Sequence, residues 1–337
     1  MKKIALEEHF ISQAHLDCLR ARTDFPRLAT VDDGSGNKVE RLLRTPTSSQ
    51  VYTPRRVSQL LDVGAGRIAE MDRSGVDMQV LSMTGPGVEE FDHATGTALA
   101  RDINDEVADK IKPNRQRFAA FATLAYGDPA AAADELERAV TRLGFVGGKL
   151  NSHVGGEYLD ERKYWVLFER AATLGVPIYL HPKEPPQKML DLIAPYPTLM
   201  MATWGFAADT SLHAMRLIAS GLFDAHPRTK IILGHLGEGI PFWLWRMDNH
   251  WKKEGCRANR LPSEYFRDNF LVTTSGMFTQ QTFLCVYQVL GADTMMFAVD
   301  YPSESNDAGV QFIESVPICE ADKAKICHGT AVKLLGV

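Results

Sequence analysis

Eight short runs of apolar, β-branched and aromatic residues recur along the chain: KIALEE, VDMQVLS, RFAAFAT, FVGGKLN, VPIYLH, TKIILGH, NFLVTTS and TMMFAVD. Their hydrophobicity is nearly continuous rather than alternating, which predicts parallel strands covered on both faces. Between them, residues 97–112, 129–143, 160–174, 209–221, 238–252 and 279–290 carry helical periodicity, several opened by Asp, Ser or Pro and closed near Gly. In DPAAAADELERAVTRLGF, Asp128 suits a cap, Pro129 the first turn and Gly144 a left-handed stop. Strand and helix alternate throughout. A doubly wound open sheet would give a similar alternation, but eight units match a (β/α)8 TIM barrel. With no break in composition, residues 1–337 are expected to form a single barrel domain. The rhythm fails only at residues 20–55, where VDDGSGNK and RTPTSSQ are polar and turn-rich. An insertion of that kind after the first strand is expected to be a lid, a binding loop or an oligomer contact.

Composition narrows the class. An apolar fraction of 45% with 23% charged residues supplies a sizeable core and excludes disorder. The net charge of −5, without a block of Lys or Arg, argues against nucleic acid or an anionic membrane as partner and favours a small molecule. No apolar run approaches the ~20 residues that cross a bilayer, and the N-terminus lacks the basic-then-apolar order of a secretory signal. Cys18, Cys256, Cys285, Cys319 and Cys327 are scattered and contain no CxxC pair, as expected of reduced thiols in a cytoplasmic protein.

In a barrel, the residues just past each strand converge on the face that carries chemistry. Here those positions are Glu7-Glu8-His9, Thr84, Lys149 and Asn151, His181, His235, Thr274-Ser275 and Asp300. On an extended strand Glu7 and His9 share a side and Glu8 faces away. Glu7, His9, His181 and Asp300 form a mixed nitrogen and oxygen set that suits Zn²⁺ or Mn²⁺ with positions left for water or substrate. Each taken alone could be a satisfied core or capping residue; four at the ends of separate strands point to a metal site. In ILGHLGEGIPFWLWRMD, Glu238 follows His235 by three residues and can orient its imidazole. Arg246 could reach an anionic substrate, or instead pair at the surface with Asp248 or Glu254. His15, His93, His213, His226, His250 and His328 suit core or solvated positions, and His153 stays open. Neither GPG nor LGHLGEG has the spacing of a phosphate loop, and no GxSxG elbow occurs, which disfavours nucleotide binding and nucleophilic triads.

ALEEHF at the start, YLHP at 179–182, LGHLGE at 233–238, TTSG at 273–276 and DYP at 300–302 together resemble the metal-dependent, nonoxidative o-hydroxybenzoate decarboxylases of the amidohydrolase superfamily. Those include the γ-resorcylate, 2,3-dihydroxybenzoate and 5-carboxyvanillate decarboxylases. The resemblance spans nearly the whole chain and is weakest at about 20–55. It implies that Glu7, His9, His181 and Asp300 hold one divalent ion, Mn²⁺ or Zn²⁺. It further implies that His235 and Glu238 assist beside the ion, and that Arg246 and Asn151 line a pocket for a small aromatic carboxylic acid; Thr84, at the end of the second strand, is expected there too. Asp300 is expected to protonate the ring carbon that loses CO₂. Related enzymes are homo-oligomers, so a homodimer or homotetramer is expected, and the Trp-rich stretch 241–251 could serve the interface or simply pack on the barrel. Two other readings stay open: a metal-dependent hydrolase or hydratase of a lactone, amide or unsaturated acid, with a carbamylated Lys149 bridging two ions, and a non-catalytic scaffold on the same barrel.

Overall fold

The computed structural model describes residues 1–255 and 258–337, so Cys256 lies outside the described residues. All eight predicted runs form strands: β1 (Ile4–Phe10), β2 (Met78–Met83), β3 (Phe118–Ala120 and Ala122–Thr123), β4 (Gly148–Asn151), β5 (Ile178–His181), β6 (Ile231–Leu233), β7 (Phe270–Thr273) and β8 (Met295–Met296). Each pairs in parallel with its successor, β1 with β2 through to β7 with β8. The break inside β3 is spanned by Phe121, whose N–H donates to Leu81. The ring closes where the last strand runs on past its end, since the Asp300 N–H donates to the Glu7 carbonyl at 3.0 Å and the His9 N–H to the Tyr301 carbonyl at 2.7 Å. The result is the expected (β/α)8 barrel. Its interior is filled by Ile4, Leu6, Val80, Phe121, Tyr179, Ile232 and Met296, all but inaccessible to solvent.

Helices stand where periodicity predicts them, with shifted ends: His93–Ile111, Pro129–Arg138, Trp165–Leu174, Gly205–Ala219, Ile240–Glu254 and Gln280–Leu290. The best signal reads as expected, because Asp128 accepts from the Ala131 N–H and Gly144 closes the segment at φ 75°. Among the described residues no helix is long and apolar enough to cross a membrane.

Residues 20–55 are more ordered than their turn-rich sequence suggests. Arg27–Asp32, Lys38–Leu43 and Ser49–Val51 form a three-stranded antiparallel meander, with Asp32 and Asp33 side chains accepting backbone N–H groups in its first turn. Its Leu28 and Leu42 pack with Leu16, Leu19, Tyr52 and Leu60 in a small core of their own. Arg44 ties the meander to the barrel mouth through Glu184 at 3.0 Å and the Gly85 carbonyl at 3.2 Å.

Glu8 faces away from Glu7 and His9, as the alternation requires, and joins three strands: it accepts from the Val299 N–H at 3.0 Å and from Gln79 Nε2 at 3.3 Å. Burial raises its pKa well above the usual carboxylate range, with the Val299 N–H and the Arg67 guanidinium opposing. Arg67, from the helix Ala65–Ser74, is itself fully buried, donates to the His9 carbonyl at 2.5 Å and lies 4.9 Å from the Tyr301 ring centroid. Losing one partner of a buried charged network costs several kcal/mol. Arg67→Met should therefore lower the unfolding free energy by about 3 kcal/mol in urea titration; a loss within the scatter of surface substitutions would refute a part in barrel closure.

His15 is buried with Nε2 3.0 Å from the Pro86 carbonyl, and burial lowers its pKa to about 4. It stays neutral in the fold but takes up a proton on unfolding below its ordinary pKa of about 6.5, so its contribution is complete above that value and lost as pH falls toward about 4. Compared with His15→Phe, the wild type should lose about 2 kcal/mol of stability between about pH 7.5 and about pH 5 in paired denaturant titrations. Parallel pH profiles would contradict it.

Candidate metal centre and active site

Glu7 and His9 of β1, His181 of β5 and Asp300 beyond β8 meet at the C-terminal mouth of the barrel. His9 Nε2 stands 3.2 Å from His181 Nε2 and 3.1 Å from Asp300 Oδ1, and His181 Nε2 lies 3.3 Å from Glu7 Oε1. Donors bound about 2.1 Å from one ion at tetrahedral to octahedral angles stand about 3.0–3.4 Å apart, which is the spacing of these three pairs. Glu7 Oε1 is buried and has no hydrogen-bond partner, so it supplies the free acceptor a cation would satisfy. The other carboxylate oxygen is held by the hydroxyls of Tyr179 and Ser275. Gly234 makes room for that carboxylate, since a Cβ there would stand 2.6 Å from Glu7 Oε2.

Both imidazoles are oriented from behind. His181 Nδ1 donates to the Pro182 carbonyl at 2.7 Å, leaving the Nε2 lone pair for the cluster, and His9 Nδ1 lies 3.2 Å from Ser82 Oγ. Burial, reinforced by the Lys149 charge, lowers His9 to about 3 and His181 well below its ordinary value, so both rings are neutral at neutral pH. Burial raises Asp300 to about 6, against the pull of His235, Arg56 and Lys149. These donors could hold one divalent ion, and the cluster of Glu7, His9 and His181 alone meets the spacing.

His235 and Glu238 lie where the sequence put them, but on a tighter turn than a helix start. His235, Leu236, Gly237, Glu238 and Gly239 all have positive φ, a left-handed run that disfavours side chains by about 1–2 kcal/mol per non-glycine residue. It brings Glu238 Oε1 to 2.7 Å from His235 Nδ1. Although burial disfavours the imidazolium, Glu238 and Glu7 outweigh it and hold His235 protonated, its pKa up to about 10. Ser152 (φ 38°) and Asp300 (φ 78°) are likewise left-handed, so every non-glycine residue with positive φ among the described residues sits at the barrel mouth.

The remaining predicted residues divide. Asn151 is buried beside the mouth, its Nδ2 donating to Glu89 at 3.1 Å and its backbone pinned by the Tyr126 hydroxyl. Thr84 is buried one residue beyond β2, its N–H on the Phe10 carbonyl. Neither lines the main cavity, which opens on the other side over His235, Glu238 and Asp300. Arg246 is exposed on the outer face of Ile240–Glu254 and does not line that cavity either, though Trp243 and Met247 of the same helix do. Lys149 is buried, depressed to about 8 by burial, and donates to the Met83 carbonyl at 2.6 Å.

Arg56 brings a charge toward the cluster that the strand-end argument could not find. It sits on the helix Pro54–Leu61, directly after the meander, with Nη2 3.3 Å from Ser303 Oγ, and its charge is felt at His9 and Asp300. Thr53 and Pro54 mark that helix start in the sequence, but nothing local reports that its first turn faces the barrel mouth.

Comparison with known proteins agrees with this geometry. The amidohydrolase family model matches residues 54–337. The γ-resorcylate decarboxylase of Polaromonas sp. is 36% identical over 98% of both chains. The crystal structure of 5-carboxyvanillate decarboxylase from Sphingomonas paucimobilis superposes with a TM-score of 0.88 at 39% identity, covering 100% of this chain and 99% of that one. A dihydroxybenzoic acid decarboxylase from Polaromonas sp. JS666, solved with bound manganese and the inhibitor 2-nitroresorcinol, gives 0.86 at 36% identity over 99% of this chain and 97% of its own. The chain thus carries the fold of these enzymes along its whole length, and it belongs to the amidohydrolase family.

Proposed function

We propose that this protein is a divalent-metal-dependent, nonoxidative decarboxylase of an ortho-hydroxylated aromatic carboxylic acid. The observation that carries the reading is the cluster of Glu7, His9 and His181, whose donor atoms all lie within 4.8 Å of one another, with Asp300 3.1 Å from His9 and open to the cavity. In this reading those four side chains hold one Mn²⁺ or Zn²⁺, and the bound ion supplies Lewis-acid charge neutralisation and alignment of the anionic substrate.

Direct loss of CO₂ from an intact ring would leave an aryl anion of very high energy, so a proton must reach the carboxylated carbon first. In this reading Asp300, which faces the cavity, is the donor. Its proton bonds to the ring carbon and interrupts aromaticity; the carbon–carboxylate bond then breaks, CO₂ departs, and the electron pair restores the ring. His235, kept cationic by Glu238, can return a proton to Asp300. Lys149 and Arg56 add positive charge near an anionic ligand. Carboxylation of a phenol is the same path reversed. The hydrolase reading needs a second ion on Lys149, whose amine instead serves the Met83 carbonyl.

A homo-oligomer in the cytoplasm completes the proposal. Phe242, Trp243 and Trp245 are 70%, 50% and 79% exposed on one short stretch, an apolar patch that isolated monomers rarely display. Light scattering should return a dimer or tetramer, and a monomer at working concentration would remove this part.

Enzyme dialysed against chelator should cease to release CO₂ from 2,6-dihydroxybenzoate and recover on adding Mn²⁺ or Zn²⁺. Asp300→Asn, loaded with metal, should lose about 10³-fold or more in kcat, since each 1.36 kcal/mol of barrier is tenfold, while binding of 2-nitroresorcinol weakens far less. Activity that survives chelation, or a near-wild-type Asp300→Asn, would end the proposal.

A further inference from the structure

The cavity over Asp300 is larger than the proposed reaction needs. Its volume is about 690 Å³, well inside the range of pockets that enclose ligands of several rings, whereas a dihydroxybenzoate is a single small ring. Two helices make its walls. Gly205–Ala219 presents Ala208, Ser211 and Met215, three to four residues apart and therefore on one face, and Ile240–Glu254 presents Ile240, Trp243 and Met247 opposite. Ala208 and Ser211 are small, and the space between the helices exists because they are.

Charge is confined to the floor and rim. The ionisable side chains lining the cavity, among the described residues, are His235, Glu238, Asp300 and Glu304; no Lys or Arg faces it. His235 is already paired with Glu238, and Glu304 stands at the exposed rim. A second carboxylate directed into this space would lose water without gaining a cation and would meet Glu304. A neutral apolar group would bury surface against Met215, Ile240 and Trp243.

We propose that the preferred substrate carries an uncharged apolar substituent, the size of a short alkyl chain, at the ring position opposite the reacting carboxylate. This inference rests on the decarboxylase reading. Asp300 fixes which end of the ring lies at the cavity floor, because the carbon it protonates must touch it; the carboxylate and ortho hydroxyl turn toward Glu7, His9 and His181, and the far side of the ring points between the two helices. The substrate class is then the 4-alkyl-2-hydroxybenzoates, with or without a second ortho hydroxyl, and the product is the corresponding alkylphenol.

The test compares 2,6-dihydroxybenzoate with its 4-pentyl and 4-carboxy derivatives on the manganese-loaded enzyme. Each buried methylene is worth about fourfold in affinity, so after the ordering of the chain a gain of at least about tenfold in kcat/KM is expected for the pentyl acid. The 4-carboxy acid should be the poorest of the three. Ser211→Phe, which fills the gap between the helices, should cut the pentyl-to-unsubstituted ratio about tenfold. Calorimetry of 5-pentylresorcinol against resorcinol reads the cavity without turnover and without a variant, and the pentyl compound should bind at least tenfold tighter. Equal binding of the two phenols, or a pentyl acid no better than the parent, overturns the inference. If no acid releases CO₂ the decarboxylase reading fails instead, and the calorimetric comparison still decides whether the cavity takes an apolar chain.

Discussion

The pairing of the first strand with the last is the constraint on which the rest depends. Glu7 and Asp300 are almost the length of the chain apart, and only closure of the ring makes them neighbours. The two backbone bonds at that seam, Asp300 to Glu7 and His9 to Tyr301, set the register of the very residues proposed to bind metal. A slip of one residue would turn Glu7 and His9 away from the mouth and bring Glu8 into it. Glu8 and Arg67 guard against that slip from behind, one bonding the Val299 N–H and the other the His9 carbonyl. The two adjacent glutamates of β1 therefore differ in place: Glu7 faces the mouth and the proposed ion, and Glu8 faces the closing seam.

Electrostatics at the mouth follow from the same closure. Burial in a sealed ring would neutralise isolated acids and imidazoles, and it does lower His9 and His181 and raise Asp300. His235 goes the other way because Glu238 is fixed 2.7 Å from it by the left-handed turn. One small region thus holds two neutral imidazoles, a carboxyl with a raised pKa and an imidazolium. The backbone strain in His235–Glu238 is the conformational counterpart: the turn is unfavourable by itself and is held by buried Leu236 and by the Ser275 hydroxyl on the His235 N–H.

Much of this was legible in the chain. Continuous apolar runs marked all eight strands because parallel barrel strands are covered on both faces, and a two-residue period was enough to separate Glu7 and His9 from Glu8. Whatever depended on distant packing was not legible. The meander at 27–51 hides because its strands are polar on the exposed side and its core borrows Leu16, Leu19 and Leu60 from flanking segments. Arg56 and Arg67 carry no local mark, as each acts across the barrel rather than along its own helix. Arg246 reads as a substrate contact beside Glu238, yet its position on the helix turns it outward, because the face toward the cavity is taken by Trp243 and Met247. The apolar cavity itself arises from two helices whose spacing no single segment encodes.

The most direct measurement of the central claim is an anomalous difference map from a crystal grown with manganese. The account predicts one peak per chain, about 2.0–2.3 Å from donor atoms of Glu7, His9, His181 and Asp300. A peak elsewhere, a second ion on Lys149, or no peak at the barrel mouth would contradict it.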